Sequence, residues 1–97
     1  MILVRNVFRL KFGKAREAKE ALMKMQEISD KLGYQRGRLL SDLTGPSYTF
    51  VLEIELEDLS LMNRLGELFG NQEWQTAYRE FVQFANSGYR EIFTIEN

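Results

Sequence analysis

From Ile2 to Phe12 the chain alternates: Ile2, Val4, Asn6, Phe8, Leu10 and Phe12 fall on one side, and Leu3, Arg5, Val7, Arg9 and Lys11 on the other. A period of two puts successive side chains on opposite faces of an extended backbone, so this run predicts a strand with one apolar and one mixed face. Gly13 breaks the pattern. From Lys14 to Leu32 the period becomes helical, with Ala18, Ala21, Leu22, Met25, Ile28 and Leu32 in one stripe and the pairs Glu20/Lys24 and Glu27/Lys31 four apart on the wet side. Gly33 suits a left-handed helix stop. Tyr34 to Leu43 and Ser47 to Leu56 predict the two strands of a hairpin turned at Thr44-Gly45-Pro46. The second of these sets Tyr48, Phe50, Leu52, Ile54 and Leu56 against Thr49, Val51, Glu53 and Glu55. Asp58 and Asn71 are placed to cap two short helices. The first runs through Phe69, with Leu59, Met62, Leu65 and Phe69 on one side, and stops at Gly70. The second carries Trp74, Ala77, Tyr78, Phe81 and Ala85 and stops at Ser87-Gly88, after which Tyr89 to Glu96 forms a last strand.

This order predicts a single α+β domain over residues 1–97, of ferredoxin-like βαββαβ topology, with helices on one face of an antiparallel sheet. Right-handed crossovers give the strand order fourth, first, third, second. The other sheet face carries Leu3, Arg5, Val7, Arg9, Val51, Glu53 and Glu55, with Arg5 near Glu53 and Glu55 across strands. It is too charged for the core of a lone subunit and too apolar for a purely solvated surface. Arg5, Val7, Arg9, Val51, Glu53 and Glu55 are therefore read as a face that meets its own copy, making a homodimer.

Composition narrows the chemistry more than it identifies it. The chain has no cysteine and no histidine. Disulfides, thiolate nucleophiles, zinc ribbons and iron–sulfur ligation are excluded, as are the Ser-His-Asp arrangement and the usual proximal haem ligand. Net charge is -1, but residues 1–38 hold ten Lys and Arg against four acids, and residues 39–97 three against ten. Two readings fit this asymmetry: a basic nucleic-acid surface, or halves that neutralise each other within a chain or across a dimer. The positives are spread over a strand and a helix with few aromatics interleaved, which favours the second and predicts no nucleic-acid partner. No segment approaches the roughly 18–20 uninterrupted apolar residues of a membrane span, and MILVRNVFRLKF has arginines inside its apolar run, unlike a signal peptide. Neither a membrane span nor a targeting segment is expected, and the expected location is the cytoplasm.

Four groups of residues merit a chemical reading. Asn6 is an amide in the middle of an otherwise apolar strand face; it serves either a structural hydrogen bond or a pocket. Trp74, on a helical apolar stripe, is either core or pocket wall, and Tyr48 and Tyr78 are the next polar groups such a pocket would have. Arg36 and Arg38 flank Gly37 and suit either an anionic ligand or the protection of an edge strand. Glu53, Glu55 and Glu57 with Asp58 resemble a carboxylate site for a hard metal, but two-residue spacing only lines up a strand face, and Arg5 and Arg9 are natural counter-charges; no metal is expected.

Three stretches, the opening strand with FGKAREAKE, the hairpin LSDLTGPSYTFVLEIE and the closing SGYREIFTIE, resemble the NIPSNAP-like members of the dimeric α+β barrel superfamily. That superfamily also includes the antibiotic-biosynthesis monooxygenases and haem-degrading monooxygenases. The resemblance covers essentially the whole chain. It implies two ferredoxin-like subunits with their sheets face to face, and a small hydrophobic or aromatic ligand between sheet and helices, with Asn6, Phe8, Tyr48, Trp74, Tyr78 and Phe81 around it. The haem-degrading branch is similar through an asparagine on the first strand and a tryptophan on a later helix, matched by Asn6 and Trp74. Its iron-ligating histidine has no counterpart, since Phe84 stands about ten positions beyond Trp74. No cofactor is therefore expected. The resemblance implies a homodimeric small-molecule-binding or interaction module; the alternative is a cofactor-independent monooxygenase or isomerase acting on a small aromatic or polyketide-like substrate in the sheet–helix cleft.

Overall fold

The computed structural model describes residues 1–97. The elements are β1 (Ile2–Leu10), α1 (Ala15–Lys31), β2 (Arg38–Ser41), β3 (Thr49–Leu56), a 3₁₀ turn at Leu59–Leu61, α2 (Met62–Phe69), α3 (Gln72–Val82) and β4 (Ala85–Thr94). The sheet has the order β2-β3-β1-β4, and every neighbouring pair is antiparallel. This is the ferredoxin-like βαββαβ fold that the sequence pattern predicts.

Local signals account for most element ends. Gly33, at φ +82°, lets its own N–H reach the carbonyl of Asp30 and the N–H of Tyr34 reach that of Ser29, the paired bonds of a Schellman stop. Asn71 accepts a hydrogen bond from the backbone N–H of Trp74 at 3.0 Å and so opens α3. Asp58 caps the 3₁₀ turn through the Ser60 N–H. The Ser60 hydroxyl first, and that N–H second, hold the Asp58 carboxyl below its usual range. A depressed folded-state value means this contribution is complete above the ordinary carboxylate range and is lost as pH falls through the lowered value.

The core fills the space between the sheet and α1 and α3. Ala18, Ala21 and Leu22 of α1 are almost wholly buried beside Phe50 and Phe81, and the rings of Phe8 and Phe81 meet edge to face at 4.9 Å. The small residues let α1 lie close to the sheet, and each large side chain buried there contributes about 1.5–3 kcal/mol. Lys24 does not pair with Glu20; it crosses to Glu80 on α3 at 3.4 Å, a tie between the basic and acidic halves of the chain.

Four sequence expectations are corrected. The second strand is confined to Arg38–Ser41, because Gly37 gives its carbonyl to Gln26 of α1 instead of to a ladder. Phe12 is not on the core face but 88% exposed, since β1 stops at Leu10 and the Lys11 N–H turns to the carbonyl of Phe84. Leu32 falls past the end of α1 and is exposed. The last helix ends at Val82, and β4 starts at Ala85 rather than Tyr89. Ser87 and Gly88 are thus strand residues opposite Arg9 and Phe8. Glycine is required there by close approach: a Cβ at position 88 would lie 2.9 Å from the Phe8 ring.

No layer covers the second face of the sheet. Its side chains form rows across the strands, set by the register: Leu40, Val51, Val7 and Tyr89 in one, and Arg38, Glu53, Arg5 and Glu91 in the next. Glu53 is 9% exposed and lies 2.7 Å from Arg38 and 2.9 Å from Arg5 Nε, while Arg5 reaches Glu91 at 3.3 Å. The Arg5 Nε is buried but does not aim its N–H at the Glu53 oxygen, so it has charge contact without a directed hydrogen bond.

Two stability predictions follow from these contacts. Gly88→Ala should cost about 1–2 kcal/mol by driving a methyl into the Phe8 ring, whereas Gly66→Ala on α2, where a Cβ meets nothing within 4 Å, should stabilise by about 0.5–1 kcal/mol; urea denaturation of both variants reads the contrast. Glu53→Ala leaves Arg5 without its closest partner and should cost about 2 kcal/mol, less than a fully buried pair because the Arg5 side chain is 32% exposed. A midpoint shift no larger than that of Glu55→Ala would show that the row is surface decoration.

Candidate functional site

On the helical side of the sheet lies a cavity of about 100 Å³. Its floor is Asn6 of β1 with Leu52 and Ile54 of β3; one wall is Leu22, Met25 and Gln26 of α1, and the other is Leu65, Leu68, Phe69 and Trp74 from α2 and the start of α3. The segment Gln35 to Gly37 closes the third side. Most of this lining is apolar, with a few polar groups converging on it, the usual composition of a small-molecule site.

Asn6 stands in the row between Leu52 and Arg90. Its Oδ1 accepts a hydrogen bond from Arg90 Nε at 3.0 Å. Arginine can only donate, so this contact fixes which end of the amide faces Arg90 and leaves the Nδ2 group free to donate to solvent or to a ligand. Trp74 sits in the first turn of α3, held by the Asn71 cap. Its ring lies 4.9 Å from Phe69 and stacks nearly parallel on Tyr78 at 5.2 Å. A hydrogen bond from Gln75 to the carbonyl of Phe69, 2.9 Å, fixes the α2–α3 junction that brings these rings together. At the opposite rim Gln26, 8% exposed, donates to Gly37 at 3.5 Å and accepts from Arg36 at 3.4 Å. Both contacts are long. Arg36 also lies 3.7 Å from Asp30, so the two ionisable groups of the cavity neutralise each other.

The sequence-predicted residues divide accordingly. Asn6 and Trp74 line the cavity, on opposite sides of it, and Tyr78 reaches it only through its stack on Trp74. Phe8 and Phe81 are joined in the core. Tyr48, at φ +60°, belongs to the turn before β3 and packs on Phe12 at 5.0 Å. Of the two arginines around Gly37, Arg38 serves Glu53 on the open face and Arg36 the cavity rim. Of Glu53, Glu55, Glu57 and Asp58, no three carboxylates gather at one place.

Sequence reasoning missed Gln26, Gln35 and Gly37, although it singled out Arg36 between the last two. Gln26 had a signal, being four residues after Leu22 on the buried stripe. Gly37 had none: its close approach to the carbonyl of Glu53, 2.6 Å from where a Cβ would stand, is a property of the folded chain alone.

No protein-family model matches the chain, and no curated protein matches its sequence. Solved structures do match its fold. A NIPSNAP domain protein from Burkholderia xenovorans superposes with a TM-score of 0.82 at 16% identity, covering 98% of this chain and 94% of that one. An antibiotic biosynthesis monooxygenase superposes at 0.78 with 13% identity and 100% of both chains covered. A mutant of SnoaB, a cofactor-independent oxygenase from Streptomyces nogalater, gives 0.74 at 13% identity, with 99% and 93% covered. At these identities the likeness is one of architecture: the chain has the α+β ferredoxin-like fold of NIPSNAP-domain and antibiotic-biosynthesis-monooxygenase proteins.

Proposed function

We propose that the protein is a homodimeric binding module, in which two sheets meet through their open faces and each subunit offers the cavity beside Asn6 and Trp74 to a small hydrophobic or aromatic ligand. The observation that carries the first half is surface. The folded chain exposes 6572 Å², whereas a compact monomer of 11.4 kDa exposes about 5,800 Å². The difference is close to the roughly 800 Å² that one partner contributes to a standard protein interface. The molecule is also a slab only 17 Å thick, the depth of one sheet and one helical layer, so the excess belongs to a broad face. Tyr89 and Phe93 stand about half exposed on the open face, next to a shallow recess lined by Leu3, Arg38, Glu53 and Glu55, and a second sheet would cover all of them.

The second half rests on the donors. Asn6 Nδ2 is free to donate to a ligand, and the apolar walls suit a ring or short chain with an oxygen at its inner end. The cavity's only ionisable side chains, Asp30 and Arg36, are engaged with each other. What remains is a set of groups that bind and orient, which favours a binding module over proton-transfer catalysis. Such proteins as SnoaB act without a cofactor in the same fold, and a substrate that supplies its own reactive electrons is the one catalytic course this cavity suits.

Sedimentation should give twice the subunit mass. Tyr89→Glu, at a site exposed in the isolated subunit, should weaken self-association by about a hundredfold or more without lowering the melting temperature of the monomer; Arg9→Glu should weaken it less. An unchanged sedimentation profile for Tyr89→Glu would reject the sheet-to-sheet arrangement. For the cavity, native mass spectrometry of gently purified protein should show a retained small molecule, and Asn6→Ala should lose it while keeping the fold. Lost stability with no ligand to lose would make Asn6 a structural amide.

A further inference from the structure

Apart from Lys14–Glu17 at the start of α1, the ion pairs of this molecule occupy its middle. Arg5 and Arg38 go to Glu53 and Glu91, Lys24 to Glu80, and Arg36 to Asp30. The remaining charges are unevenly spread along the strand direction, with cations in excess at one end, where Glu20 and Asp42 are the unpaired acids, and acids in excess at the other. Where β1 ends, β3 and β4 begin and α1 starts, Arg9, Lys11, Arg16 and Lys19 have no carboxylate partner, and Lys14 shares Glu17. At the far end, Glu55, Glu57, Asp58 and Glu96 form no salt bridge, and they outnumber the Met1 ammonium, which lies near enough to act on Asp58, and Lys31 at the close of α1.

The basic end also carries two protruding apolar side chains. Phe12 is 88% exposed and Leu43 97% exposed. They stand on two loops that touch: the Leu10 N–H donates to the Tyr48 carbonyl at 2.7 Å, and the Phe12 ring lies 5.0 Å from that of Tyr48. The Leu43 loop is held from within, with Asp42 accepting the Thr49 N–H and the Thr49 hydroxyl donating to the Pro46 carbonyl, both at 2.9 Å. So the one acid of that loop is already engaged, and both apolar side chains are presented on bonded turns.

We infer that this end docks on an anionic lipid bilayer, with Phe12 and Leu43 entering the interfacial layer while Lys11, Lys14, Arg16 and Lys19 meet the headgroups. Neither side chain lines the cavity beside Asn6 or the recess on the open face. Isolated apolar side chains projecting through a cationic surface match the way peripheral proteins combine shallow apolar burial with attraction to acidic lipid. The acidic far end is repelled by the same surface, which sets the strand axis upright on it. No helix of the chain is long and apolar enough to cross a membrane; this contact is confined to one surface. It does not depend on the reading of the cavity or of the open sheet face.

Flotation of the full chain with two kinds of vesicle tests it. The protein should rise with vesicles of phosphatidylcholine and phosphatidylglycerol mixed at about 3:1 and stay behind with phosphatidylcholine alone, and binding should fall as salt is raised to about 0.5 M. The double variant Phe12→Ser, Leu43→Ser should bind the acidic vesicles at least about tenfold less, with an unchanged melting temperature because both side chains are exposed. Lys11→Glu with Lys14→Glu should abolish binding. Absence of binding to acidic vesicles, equal binding to both kinds, or full binding by the serine variant would overturn the inference. So would head-to-tail self-association that consumes the basic end.

Discussion

The register of this sheet turns on one carboxylate. Glu53 is nearly buried on the face that no helix covers, and it survives there because Arg5 on β1 and Arg38 on β2 close on it from both sides. Arg5 in turn reaches Glu91 on β4, so a single line of alternating charge crosses all four strands. A slip of one residue in any strand would send its member of that line to the opposite face, under the helices, and bring core side chains out. The apolar row beside it, through Val51 and Val7, would be lost in the same move. The placement of Asn6 on the cavity floor, one residue along from Arg5, is a direct consequence of this alignment.

Much of the fold was legible because it is written in local physics. The alternation of β1 and β3, the Gly33 stop and the Asn71 cap each need only a few neighbouring residues, and each is present, with β1 two residues shorter at its end and β3 two residues shorter at its start than the pattern predicts. What failed was decided by partners far away in the chain. Ser87 and Gly88 look like a helix stop, yet both pair with β1, and the residue at 88 is glycine because the Phe8 ring, eighty positions earlier, leaves no room for a side chain. Phe12 continues the alternation of β1 in sequence, but Phe84 takes the hydrogen bond that ends the strand before it. The candidate site follows the same division. Asn6 and Trp74 stood out as chemically odd residues in regular elements. The Gln35–Gly37 wall is irregular backbone held by long contacts to α1, and nothing periodic announces it.

Solved structures of this architecture at 13–16% identity show how little of the side-chain detail the frame itself requires. A two-layer slab with one bare sheet face needs apolar residues under the helices, glycine where rings come close, and some means of making the bare face tolerable in water. Here that means is charge paired along a row. The same economy leaves the far ends of the strands free to differ, and in this chain they differ in sign.

Trp74 is the only tryptophan in the chain. It lies against Phe69 on α2, stacks on Tyr78 and forms one wall of the cavity. Its indole is therefore a built-in optical reporter: excited at wavelengths that the four tyrosines do not absorb, the protein emits from one ring, whose surroundings change when the cavity fills, empties or opens at the α2–α3 junction. A spectroscopist can follow that site in the unlabelled wild-type chain, without attaching a dye.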